Sequence, residues 1–66
     1  MIFHQLNAQT KNILLSSEYY VIELANFSNA MKFDVRKIIK KGLVTDEMIH
    51  DISLLLKKPI KDLCQK

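Results

Sequence analysis

The side chains best equipped for chemistry in this 66-residue chain are cations clustered between Met31 and Gly42. Lys32, Arg36, Lys37, Lys40 and Lys41 stand there against one carboxylate, Asp34. The net charge of the whole chain is +3, so this segment holds more positive charge than the total. Residues 1–30 are slightly acidic and residues 43–66 balance. Such a cluster makes and breaks no bonds. It attracts a polyanion, whatever the total charge. Arg36 could engage guanine through two parallel hydrogen bonds, and Lys32 and Lys37 could take a base or a phosphate. Lys40 and Lys41 suit phosphates, and equally suit the capping of a helix end. The plainer reading of all five is a solvated helix face. Phe33 could touch a thymine methyl group, but packing against a neighbouring helix is the expectation for an aromatic ring. Asp34 could accept from a cytosine amino group, and a helix-capping role is preferred.

Other chemistry finds no pattern to use. There is no Gly-rich phosphate loop, CxxC pair or G-x-S-x-G elbow, and no paired carboxylates stand out. His4 and His50 are separated by most of the chain, and neither has an evident third ligand or nucleophile, so both are read as surface histidines. The lone Cys64 cannot form an internal disulfide and suits a reducing, cytoplasmic compartment. No enzyme activity, cofactor or metal is expected. No apolar run approaches the roughly 18 residues of a membrane span.

The elements that must position the cations are helical by pattern. One domain over residues 1–66 has room for about four or five helices of average length. With one Gly and one Pro the chain is short of tight β-turns. Phe3, Leu6, Thr10, Ile13 and Leu14 recur at helical spacing and predict a first helix from about Phe3 to Ser17, broken by Ser16-Ser17. A second is expected over Tyr20–Phe27, although Tyr19-Tyr20-Val21-Ile22 also favours a strand. Ser28-Asn29 makes the turn, with Asn tolerating left-handed backbone. A third helix runs from about Met31 to Lys40, with Val35 and Ile38 (and Ile39) on its apolar side, and Gly42 suits its C-cap. Thr45 caps a fourth, with Asp46 and Glu47 in its first turn and Met48, Ile49, Ile52, Leu55 and Leu56 as its stripe. Lys57-Lys58 close it, and Pro59 prevents its continuation and opens a short fifth helix, with Ile60 and Leu63 folding back on the core. Leu24, Ala25, Val35, Ile38, Ile49, Ile52, Leu55 and Leu63 are the expected core. No sheet is expected.

Within this scheme, small Ala25, turn residue Asn29 and apolar Val35 have the spacing of a helix-turn-helix, which presents its second helix to the DNA major groove. The pattern resembles the phage-repressor family, the Cro-like or lambda-repressor-like group, over roughly residues 10–63. Leu24-Ala25 matches the family's Leu-Ala pair. Asn29 stands at its turn, Ala30 follows, and Val35 and Ile38 match its packing positions. Gly42 ends the helix one residue late, and LLLKKPIKDL resembles the closing helices. Val21 stands where the family often carries a phosphate-binding Gln, Phe33 and Asp34 where polar residues are common, and Ile39 in place of a Glu.

The resemblance implies an all-α fold of five short helices. It also implies a Cro-like regulator that binds double-stranded operator DNA as a homodimer, because one helix supplies too few base contacts for a specific site. Its contact residues would be Lys32, Phe33, Arg36, Lys37, Lys40 and Lys41. The alternative is a protein-interaction module on the same fold, such as a phage or mobile-element antirepressor that binds another regulator. It rests on Tyr20, Val21 and Ile22, which would be an exposed apolar surface in the resembled fold or would join the core if the packing differs.

Overall fold

A computed structural model describes residues 2–66; Met1, the first residue of the expected domain, lies outside the described residues. In chain order the elements are β1 (Phe3–Gln5), α1 (Ala8–Leu15), α2 (Glu18–Ser28), α3 (Lys32–Lys41), β2 (Leu43–Thr45) and α4 (Asp46–Leu56), followed by a 3₁₀ turn at Ile60–Asp62. The chain is mostly helical, as expected. Two corrections follow, at its two ends.

The first corrects the start of the chain. Phe3–Gln5 is a strand, paired antiparallel with β2 in the register Phe3↔Thr45, His4↔Val44 and Gln5↔Leu43. Leu6 continues it, donating its N–H to the Gly42 carbonyl at 2.7 Å and bridging to Cys64 on the other side. Exposure alternates along Phe3, His4, Gln5 and Leu6, with His4 half-buried and Leu6 fully buried. That is the two-residue period of a strand. Helix begins only at Ala8, because the Asn7 side chain accepts from Thr10 N–H at 2.8 Å and caps it. Thr10 and Leu14 of the expected stripe are buried, as read.

The second corrects the fifth helix, which is a single 3₁₀ turn after Pro59. It brings Leu63 fully into the core. The Leu63 carbonyl accepts from Asn7 N–H, and Asn7 Nδ2 donates to the Asp62 carbonyl, both at 2.9 Å. The N-terminal strand is therefore held between β2 and the C-terminal segment. Cys64 sits half-buried in that junction, and burial raises its thiol pKa above the ordinary value.

The helix boundaries between these ends follow local chemistry. Ser16 closes α1, and Ser17 opens α2 by accepting from Tyr19 N–H. The Tyr19–Ile22 run is helical despite its strand propensity. At the end of α2, Asn29 adopts left-handed backbone with φ 54°, and Ala30 N–H reaches the Ala25 carbonyl at 2.9 Å. This six-to-one bond satisfies a carbonyl that the helix leaves free. Gly42 ends α3 at φ 83°, and Thr45 caps α4 through Met48 N–H.

One core joins all of these elements. Leu24 and Ala25 of α2, Val35 and Ile39 of α3, and Met48, Ile49 and Ile52 of α4 meet Leu6, Leu14, Val21, Val44 and Leu63. Ile38 and Leu55, expected inside, pack against the cluster from its edge. On α3 the fully buried pair is Val35 and Ile39, four residues apart, so Ile39 rather than Ile38 faces inward.

Candidate nucleic-acid interface

The α2–turn–α3 unit is the candidate site. Only Asn29, Ala30 and Met31 separate the two helices. The turn stays short because Asn29 reverses the chain without a glycine. Leu24 and Ala25 pack with Val35 and Ile39 in the common core, and this fixes which face of α3 remains outside.

With about 3.6 residues per turn, the side of α3 opposite Val35 and Ile39 carries Phe33, Lys37, Lys40 and Lys41. All four are exposed. Lys37 Nζ lies 5.0 Å from the centre of the Phe33 ring, a cation–π contact. Lys37, Lys40 and Lys41 border a shallow depression with Ile38 and Asp34. Lys40 and Lys41 also occupy the last turn, where cations favour the negative end of the helix dipole.

The structure separates the other two candidates from this face. Arg36 lies on the flank towards α2 and forms an ion pair with Glu18 in the first turn of α2. Its guanidinium joins the two helices instead of standing free. Lys32 is exposed on the same flank, one turn before Arg36.

Three readings of single residues change here. Phe33 is 64% exposed, not packed against α2. The helix wheel explains this, since positions 33 and 35 point to opposite sides. Asp34 is not the cap of α3. Met31 holds the N-cap position with no side-chain bond, and Asp34 lies in the first turn, where its charge favours the dipole. Tyr20, Val21 and Ile22 do not form one apolar surface, because consecutive helical residues diverge by about 100°. Val21 is 2% exposed in the core and Tyr20 packs at its edge, while Ile22 is exposed. The apolar residues exposed at the start of α2 are Tyr19 and Ile22.

Sequence reasoning also missed a polar cluster away from α3. His4 Nε2 donates to Asp46 Oδ1 at 2.9 Å, and His50 Nδ1 donates to the Asp46 backbone carbonyl at 2.7 Å. The two histidines, distant in the chain, meet at one aspartate. The i, i+4 spacing of Asp46 and His50 is a local signal for half of the cluster, but nothing local marks His4, which strand β1 brings to residue 46. Among the described residues, no group of His, Cys, Asp and Glu could hold a metal ion. None of the described helices is long and apolar enough to cross a membrane.

No family model, curated protein or solved structure matches this chain.

Proposed function

We propose that this protein is a small DNA-binding regulator of transcription that lays α3 along the major groove of duplex DNA. One observation carries the reading. Phe33, Lys37, Lys40 and Lys41 share the outer face of a helix whose inner face is locked into the core. A rigid helix with a cationic outer face is what groove binding requires. The three-residue turn between α2 and α3 adds support, as does the resemblance to phage repressors, which is an analogy of pattern. On this reading Lys37, Lys40 and Lys41 take phosphates or base edges, and Lys32 reaches the backbone from the flank. Arg36 pairs with Glu18 of α2 at the surface and is thereby turned away from the outer face. The protein binds as a homodimer, since one short helix covers too few bases for a specific site.

A titration of labelled random-sequence duplex at low and moderate salt tests this. Affinity should fall steeply with salt, with a log–log slope of roughly −0.9 per phosphate neutralised. Absence of binding at low salt would defeat the proposal.

The second reading is contact with another regulator protein. Tyr19 and Ile22, exposed on the same side of α2, favour it. Ile22→Glu should then abolish capture of the partner without unfolding the chain. On the DNA reading the uncharged change Ile22→Gln should leave duplex affinity nearly unchanged, while Ile22→Glu should weaken it through repulsion by nearby phosphates.

A further inference from the structure

We infer that the front of α3 is a thymine-reading site, in which Phe33 packs on the C5-methyl groups of a duplex. The inference rests on the DNA reading and specifies its ligand.

The outer face of α3 is divided along its length. Exposed Phe33 stands at its N-terminal end, 64% accessible, with Met31, 71% accessible, at the N-cap just before the helix. Lys37, Lys40 and Lys41 stand towards its C-terminal end. A recognition helix enters the major groove with its N-terminal residues against the base edges. In this chain the first turn is Lys32, Phe33 and Asp34, and Phe33 is the member on the outer face, an apolar ring between two charged neighbours. The one apolar feature that the major groove offers is the thymine methyl group. Base pairs of G and C present only polar edges there, which a phenyl ring would desolvate without return.

The surroundings of Phe33 fit this use. The Lys37 ammonium sits 5.0 Å from the ring centre, so a cation accompanies the ring into a field of phosphates. Arg36, the side chain best suited to guanine, is held by Glu18. Asp34 follows directly, and its carboxylate is repelled by a close phosphate. Phe33 is therefore turned to bases, while Lys32 on the flank and the lysines towards the C-terminal end meet the backbone.

The test compares three labelled 20-base-pair duplexes at low salt: alternating dA-dT, alternating dA-dU and alternating dG-dC. The dA-dU duplex differs from the first only in lacking the methyl groups. The wild-type chain should bind dA-dT more tightly than dA-dU by about fourfold per contacted methyl, the effect of burying one carbon group. Phe33→Ala should abolish the difference between dA-dT and dA-dU, a ratio read within the variant so that any loss common to both duplexes cancels. Phe33→Leu should keep part of the preference. Equal wild-type binding to dA-dT and dA-dU would overturn the inference and leave the DNA reading standing. So would a preference that survives in Phe33→Ala. Failure to bind any of the three duplexes would remove both.

Discussion

Helices α3 and α4 are nearly equal in length and use their residues differently. α4 carries a Thr45 cap, two carboxylates in its first turn and three buried side chains, Met48, Ile49 and Ile52. α3 has no side-chain cap and buries only Val35 and Ile39. Its remaining residues are mostly charged and exposed. α4 thus serves as scaffold, packing on α2, both strands and the 3₁₀ turn. α3 packs on α1, α2 and β2 through its Val35–Ile39 side and leaves its opposite face to solvent. The lesson is that the outer face of a helix is recognised by what its burial leaves unused.

Truncation in the core should break the comparison most severely. Ile52→Ala removes a fully buried side chain from the middle of α4 and should cost about 2–5 kcal/mol, enough to unfold much of a domain this small. Urea unfolding monitored by circular dichroism measures it. A loss below about 1 kcal/mol would mean that α4 is not the scaffold.

The junction of α3 with β2 comes next. Gly42→Ala forces a side chain into backbone at φ 83° and sets its Cβ 3.0 Å from Lys11 Cδ. The Lys11 chain can move, so the backbone dominates, at about 1–2 kcal/mol. A lowered urea midpoint with an unchanged slope is the expected result. An unchanged midpoint would show that α3 ends elsewhere.

Thr45→Ala should cost about 1 kcal/mol, because it strands Met48 N–H at the start of α4. Met31→Ala, at the uncapped start of α3, should change stability by less than about 0.5 kcal/mol. Equal losses from the two changes would erase the contrast between the helices.

Smallest for stability and most telling for function is Lys40→Ala with Lys41→Ala. The melting temperature should barely move, since both side chains are exposed. The salt slope of duplex binding should become shallower by roughly 0.9 for each phosphate that the protein no longer neutralises. An unaltered slope would make these residues helix-end cations only.

Much of this was legible in the chain. Asn29, Gly42, Thr45 and Pro59 punctuate helices through their own backbone and side-chain chemistry, so α2, α3 and α4 could be placed within a few residues. The cationic segment is continuous in sequence and stays together on one element. Leu24, Ala25, Val35, Ile49, Ile52 and Leu63 were identifiable as core from spacing alone.

Strand β1 was not legible. Three residues give too little alternation to compete with the helical spacing of Phe3, Leu6 and Thr10. What decides its state is hydrogen bonding to Leu43–Thr45 and to the C-terminal segment, partners distant in the chain. The arrival of His4 at Asp46 follows from that same pairing, whereas His50 reaches Asp46 within α4 as an i, i+4 neighbour. The fate of single side chains was also open. Val21 goes inward and Phe33 outward, and Arg36 turns to Glu18, because helix orientation is set by neighbours that local sequence does not name. By itself the sequence determined where α2, α3 and α4 start and stop and where charge collects, which are properties of adjacent residues. Only the tertiary structure decided which face of α3 is free and what the first strand pairs with, because both depend on packing and pairing across the fold.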